Sequence, residues 1–253
     1  MRSGARKMNS MALYLPLLVF HVIGDFYLQT QTMSIKKRGN IGYTLKHSML
    51  YALPFLLLFI LYRNIFQVFI LSVVIHGIID LLKSQVERSS KRKFMKYVTE
   101  RNSFAVDQLL HILTLILLAG FFYNEETFRF SWELSFLLYM RWLLAVLLIF
   151  KPANITFKMM FGRFSPKEEK PVSIQGAGAV IGSLERILML IFLALGQYAS
   201  IGLIMTAKSI ARYDKISKDP VFAEYYLIGT LFSIMTTLTV YFITFNFIVF
   251  YRG

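Results

Sequence analysis

The run Ile65-Phe-Gln-Val-Phe-Ile-Leu-Ser-Val-Val-Ile-His76-Gly-Ile-Ile-Asp80-Leu-Leu82 holds no lysine or arginine and a single acid. As a helix it would extend about 27 Å at 1.5 Å per residue, close to the roughly 30 Å hydrocarbon core of a bilayer. Comparable runs lie near residues 11–28, 45–62, 104–123, 136–151, 187–206 and 224–249. Together they make about seven spans, and the fold class expected is all-α: a polytopic transmembrane helical bundle.

Composition supports this. Of 253 residues 56% are hydrophobic and 17% charged, against roughly 25% charged in a soluble domain. Such a chain is neither disordered nor an ordinary water-soluble globule. It has no cysteine, which excludes disulfides, thiolate nucleophiles, Cys-ligated zinc and iron–sulfur clusters. Any metal must rest on His, Asp or Glu. The net charge of +14 lies mostly in connections between apolar runs, where it meets lipid headgroups and fixes topology. Membrane lipids are therefore the expected partners and nucleic acid is not, while oligomeric state stays open.

The first span follows a short basic lead (Arg2, Arg6, Lys7) but has no Ala-x-Ala cleavage site and carries His21 and Asp25. It is expected to be a retained helix rather than a cleaved signal. The first connection holds Lys36, Lys37, Arg38 and Lys46, and the second only Arg63. Lys83, Arg88, Lys91, Arg92, Lys93, Lys96 and Arg101 fall in the third, only Arg129 in the fourth, and five basic residues between Lys151 and Lys170. Odd-numbered connections are the basic ones, so by the positive-inside rule they face the cytoplasm and the amino terminus faces out. The sixth breaks the alternation with Lys208, Arg212, Lys215 and Lys218: its segment is re-entrant, or a further segment crosses, or the rule fails locally. Charged, Pro-containing Phe164–Lys170 and Gly176-Ala-Gly178 suggest a division into a membrane domain at 1–156, a cytoplasmic linker at 157–182 and C-terminal membrane helices at 183–253.

Three of the four histidines stand four residues from one of the five aspartates: His21 with Asp25, His76 with Asp80, and Asp107 with His111. Each His has roughly a 4% chance of such a neighbour, so three pairs arise on the order of a few times in ten thousand chains. Spans one and three run toward the basic connections and read His then Asp, whereas span four runs away and reads Asp then His. In antiparallel helices this reversal brings all three pairs to one depth, each His about 6 Å deeper than its Asp. His47, at the start of span two, belongs to the same end.

Ionisable groups in lipid are costly and face the bundle interior or a wet cavity. A structural His–Asp bond could satisfy one pair, and a proton or ion path could use several, but seven groups converging from four helices best suit a metal. The ligand candidates are His21, Asp25, His47, His76, Asp80, Asp107 and His111, with Asp25, Asp80 and Asp107 as catalytic carboxylates. Imidazole and carboxylate without thiolate suit zinc first, with Mn, Fe, Ni or Mg as alternatives. Seven candidates exceed one tetrahedral set, which suggests two ions, or one ion with an outer His–Asp shell. Gln29, Lys83 and Gln108 flank the pairs as candidate substrate-binding groups; Lys83 could hold a phosphate or simply snorkel to the interface.

The motifs His21-Val-Ile-Gly-Asp25-Phe-Tyr-Leu-Gln29-Thr30, His76-Gly-Ile-Ile-Asp80-Leu-Leu-Lys83 and Phe104-Ala-Val-Asp107-Gln108-Leu-Leu-His111, with His47, resemble an uncharacterised bacterial membrane family. That family, a domain of unknown function, has an H-x-x-G-D-F-x-L-Q opening, and the likeness covers roughly the first 120 residues. A weaker likeness, to the inner-membrane metal-dependent hydrolases, implies a hydrolase without implying its substrate. Farther on, Gly182-Ser-Leu-Glu185-Arg186, Ala207-Lys208-Ser209-Ile-Ala-Arg212 and Glu224-Tyr225 are similar to longer members. Glu185 and Arg186 could form a buried ion pair or an interfacial cap, and Glu224 and Tyr225 could meet Lys208 across a short turn.

The function expected is a membrane-embedded metal-dependent hydrolase acting near the cytoplasmic interface on a lipid-like or phosphorylated substrate. Its alternatives are a divalent-cation or proton transporter and a metal-clamped scaffold or sensor.

Overall fold

The structure, a computed structural model, describes residues 13–37, 40–62, 64–90, 100–122, 133–166 and 176–246. Among them it is helical throughout, with six helices long and apolar enough to cross a membrane and a shorter apolar helix, Leu13–Tyr27. The bundle is all-α and polytopic. Of the basic residues counted above, Arg2, Arg6, Lys7, Arg38, Arg63, Lys91, Arg92, Lys93, Lys96, Arg129, Lys167 and Lys170 lie outside the described residues, as do residues 247–249 of the last expected span. The chain forms two compact units, Met1–Leu144 and Ala145–Gly253.

In the first unit α1 (Leu13–Tyr27) is followed by a short α2 (Gln31–Lys36), by α3 (Ile41–Phe55) and α4 (Leu58–Leu61), and by the long α5 (Phe66–Ser90) and α6 (Glu100–Phe122). The α7 helix (Glu133–Ile149) begins here and ends in the second unit. Side-chain caps start α2 and α3: Thr30 accepts from Met33 N–H at 3.2 Å and Asn40 from Tyr43 N–H at 3.4 Å. The α5 helix shows the logic of the unit. Val68, Ser72, His76, Asp80 and Ser84 are buried at four-residue spacing, while Phe66, Ile70, Val74, Ile78 and Leu82 are exposed at the same spacing. Polar residues face in and apolar ones out, the reverse of a water-soluble helix and the arrangement lipid requires. The same holds for α6, with Asp107 and His111 buried and Val106, Leu109, Leu113 and Leu117 exposed.

Packing between α1 and α3 depends on one glycine. A Cβ on Gly24 would lie 2.7 Å from Tyr51 Cδ2 and 3.2 Å from Tyr51 Cα. The second contact is backbone, so no side-chain rotation relieves it. Here α1 also widens into a π turn, Ile23–Tyr27, a local device often found where a helix re-aims a functional side chain.

In the second unit α8 (Lys151–Phe161) follows α7 after a break at Phe150, whose φ is −91° and ψ −105°. Pro152, without an N–H, cannot extend the ladder across it. The expected span 136–151 thus becomes the apolar stretch Ser135–Phe164, and Lys151 and Lys158, assigned above to a connection, are helical. Single lysines at a helix surface are tolerated because their stems are apolar. The expected linker 157–182 is likewise helical at both ends, with residues 167–175 outside the described residues. Gly176, at φ 85°, stands immediately before α9 (Ala177–Ala194), so the Gly-Ala-Gly signal marks a helix start.

The expected span 187–206 is two helices. α9 ends at a turn in which Gly196 takes φ 69° and Gln197 N–H reaches back to the Phe192 carbonyl at 2.8 Å. Glycine adopts this left-handed geometry without steric cost. α10 (Tyr198–Ile210) then packs back along α9. The hairpin is pinned by Lys208 Nζ, 2.7 Å from Glu185 Oε2. Lys208 therefore pairs with Glu185 rather than Glu224 or Tyr225, and its ammonium also lies 5.1 Å from the Tyr226 ring centre. The basic segment from Lys208 to Lys218 thus returns to the end at which α9 begins. α11 (Tyr213–Lys218) leads into α12 (Pro220–Tyr241). The α12 helix buries small or β-branched residues at Thr230, Ser233, Thr237 and Val240 and packs against α9, as small-residue membrane seams do.

Replacing Gly24 by Ala is expected to lower the thermal stability of the detergent-purified protein by about 1–3 kcal/mol through overpacking. Gly120→Ala, where nothing lies within 4 Å of the new Cβ, should leave it unchanged or raised; equal melting of the two variants would contradict the close contact.

Candidate metal centre

Four helices of the first unit deliver the site. α1 supplies His21 and Asp25, α3 His47 and Tyr51, α5 His76 and Asp80, and α6 Asp107, Gln108 and His111. The four histidines and three aspartates are each 8% exposed or less. The imidazoles converge: ring centres of His76 and His111 are 4.3 Å apart, of His47 and His76 5.3 Å, and of His21 and His111 5.3 Å. Tyr51 lies flat against His76 at 3.5 Å and 1° and shares a 3.2 Å hydrogen bond with His21 Nδ1. That tyrosine, which the sequence pattern does not single out, holds two of the four rings in place.

Two of the three His–Asp pairs of the sequence do not hydrogen-bond within their own helices. His76 Nε2 to Asp80 and His111 Nε2 to Asp107 are both 3.6 Å, too long for a hydrogen bond. The carboxylates reach across instead. Asp25 Oδ1 lies 3.1 Å from His47 Nε2, and Asp25 Oδ2 accepts from Gln108 at 2.7 Å. Asp80 Oδ2 is 3.4 Å from His47 Nε2. His47 Nε2 and His76 Nε2 face each other at 3.3 Å. Four-residue spacing thus brings the residues to one level, and the cross-helix geometry makes the cage.

Two lysines close the cluster on its carboxylate side. Lys83 Nζ sits 2.8 Å from Asp107 Oδ2. Lys37, counted above only as connection charge, donates to both oxygens of Asp80 at 3.1 Å and to Gln29 Oε1 at 3.2 Å. Ser84 Oγ anchors that loop by donating to the Lys37 carbonyl at 2.9 Å. Burial pulls the Lys37 ammonium toward neutrality, but Asp80, then Asp25 and Asp107, outweigh it and hold its pKa above the ordinary lysine value. Lys37 therefore stays charged. Gln29, Lys83 and Gln108, the candidate substrate-binding groups, each engage a carboxylate of the cluster or the lysine bound to one.

The donors fit a divalent cation. Three sets place one ligand atom from each residue within 4.8 Å of the others: Asp25, His47 and His76; His76, Asp80 and His111; and Asp25, Asp107 and His111. His21 belongs to none of them. Moreover, His21 Nε2, His47 Nδ1, His76 Nδ1, Asp107 Oδ1 and His111 Nε2 are buried without a hydrogen-bond partner among the described residues. An unmet buried polar atom costs about 1–3 kcal/mol, and a cation shared by His111 Nε2 and Asp107 Oδ1 would offset two at once.

The family of proteins of unknown function DUF3307 matches residues 13–142, the stretch that contains the whole cluster. The chain belongs to that family. No curated protein and no solved structure matches it. The match ends just before the boundary between the two units at Leu144, so the family segment and the first compact unit coincide closely.

Elemental analysis of the detergent-purified protein should find one or two equivalents of a divalent transition metal. His76→Ala and Asp107→Ala should remove most of it and His21→Ala less, because His21 lies outside the three ligand sets. Wild-type protein that stays metal-free after zinc addition and desalting would contradict the assignment.

Proposed function

We propose that this chain is a membrane-embedded metal-dependent hydrolase of the bacterial inner membrane, acting near the cytoplasmic interface on a lipid-like or phosphorylated substrate. The observation that carries the reading is the imidazole–carboxylate cage, built at one end of the bundle and bordered by two lysines. Zinc suits the donors best. The sets Asp25–His47–His76 and Asp25–Asp107–His111 share only Asp25, so the residues present would supply ligands for one ion or two. A divalent ion held by these residues would supply a water of lowered pKa and a Lewis acid for a phosphoryl or acyl oxygen. The chain's own groups do the rest. Asp80, 3.4 Å from His47 and bound to Lys37, is placed to take a proton. Gln108 and Tyr51 fix Asp25, His21 and His76. Lys37 and Lys83 are the cations that an anionic substrate would meet as they exchange a carboxylate partner for a phosphate.

Support for chemistry over transport comes from what lies on the histidine side. Residues 13–20, 52–62, 65–75 and 112–122 hold no charged side chain, and Leu13, Leu17, Phe55, Leu58, Ile65, Val68 and Leu115 are 2% exposed or less. An ion path needs polar groups through to the far side, whereas hydrolysis needs one opening.

Protein reconstituted in liposomes should hydrolyse a phosphoester or lipid ester in a broad panel, lose the activity to chelator and Asp80→Asn, and regain it with added zinc. Gln108→Ala, which removes only a partner of Asp25, should cost about 10–100-fold. Metal or proton flux dependent on His76 and Asp80, with no hydrolysis anywhere in the panel, would overturn the proposal in favour of transport.

A further inference from the structure

In sequence the three aspartates of the cage look equivalent, each four residues from a histidine. Their surroundings are not. Asp107 gives only Oδ2 to its neighbours, to Lys83 at 2.8 Å and to Gln108 at 3.4 Å, while its Oδ1 is buried with no hydrogen-bond partner among the described residues. Asp25 divides its oxygens between His47 at 3.1 Å and Gln108 at 2.7 Å. Asp80 gives both oxygens to one ammonium, Lys37 Nζ, at 3.1 Å each.

Reach does not account for the difference. His76, Asp80 and His111 place ligand atoms within 4.8 Å of one another, as do the two sets that contain Asp25, and Asp80 Oδ2 lies 3.4 Å from His47 Nε2. Asp80 is near enough to share an ion with the histidines, and Lys37 already holds it. The segment that carries Lys37 is fixed at several points. Thr30 caps α2, Met33 is buried at 6% exposure, and the Lys37 N–H bonds to the Met33 carbonyl at 2.9 Å. Ser84 Oγ donates to the Lys37 carbonyl at 2.9 Å, and Gln29 Oε1 accepts from the ammonium at 3.2 Å. With its backbone held on both sides of Cα, the lysine presents its charge to Asp80 at high effective concentration. The side chains of the pair are 12% and 1% exposed, so water screens their attraction little.

We propose that Lys37 is a tethered cation that keeps Asp80 out of the metal's ligand set, leaving the ion to the two sets built on Asp25. The inference rests on the metal reading of the cage and adds which carboxylates ligate: Asp25 and Asp107 do, and Asp80 stays beside the ion, bound to Lys37. Lys37 is a positioning residue in this arrangement, acting on the ion through Asp80.

Zinc affinity of the full chain, stripped of metal in detergent and titrated with zinc against a chromophoric chelator, tests this. Lys37→Met should tighten zinc binding at least about thirtyfold, because the ion then relieves an otherwise uncompensated buried carboxylate. A merely structural lysine would not produce a gain. Lys37→Met combined with Asp80→Asn removes the pair without changing net charge and should stay within about fivefold of wild type. Lys83→Met removes an equal charge from a carboxylate that already offers a free oxygen, and its gain should be about fivefold or less. If Lys37→Met does not purify folded, the double variant carries the test by itself. No gain in Lys37→Met, an equal gain in Lys83→Met, or a loss of more than about thirtyfold in the double variant would each overturn the proposal while wild-type zinc binding leaves the metal reading standing. Wild type and variants that all fail to take up zinc would overturn both.

Discussion

The first unit is organised by the cost of placing seven ionisable side chains in apolar surroundings. Neither α5 nor α6 satisfies its own pair: at 3.6 Å the His76–Asp80 and Asp107–His111 contacts are too long. Each carboxylate must find its partner on a neighbour, Asp25 on α3 and α6, Asp80 on α3 and the loop after α2, Asp107 on α5. These cross-links tie four helices into a ring and set their rotation, so that apolar side chains face outward along α5 and α6. Gly24 belongs to the same constraint, because Asp25 reaches His47 only if α1 lies close against Tyr51.

Two buried polar assemblies in one chain show how structure and binding can be told apart. Arg186 has a carbonyl, an amide oxygen and two hydroxyls as acceptors, and it joins the α7–α8 break to α9 and α12. It is a structural group with its hydrogen-bonding capacity used. The His–Asp cluster has the opposite character: dense in acceptors, bordered by cations, and still holding five unmet buried atoms. A network left part-satisfied is unfavourable unless something else completes it. The cations supplied by the chain itself, Lys37 on Asp80 and Lys83 on Asp107, meet carboxylates and leave the histidines unserved.

Much of this was legible in the residues. Apolar run length located the membrane helices, and the reversed order of Asp107 and His111 relative to His76 and Asp80 placed all the pairs at one level, because helix direction and spacing are simple geometry. What the pattern could not carry was partner choice. Lys37 reads as one more basic loop residue, and its descent onto Asp80 depends on the Thr30 cap, α2 and the Ser84 anchor. Tyr51 lies four residues past His47, but aromatic residues are too common in this chain for that spacing to stand out. The α9–α10 hairpin was hidden because hydropathy records apolar content and not chain direction. The signal that could have found it was Gly196 within the run, together with the basic segment beginning at Lys208. The break at Phe150 was hidden for a related reason, since Pro152 begins a new apolar helix instead of ending the span.

In the proposed site, imidazole and carboxylate groups from four helices hold a divalent ion. X-ray absorption at the metal edge of the purified, zinc-loaded protein tests it most directly. A nitrogen and oxygen shell at about 2.0–2.1 Å with no sulfur is expected, with outer scattering from at least two imidazoles that diminishes in His76→Ala. A spectrum without imidazole scattering, or one unchanged by His76→Ala, would contradict it.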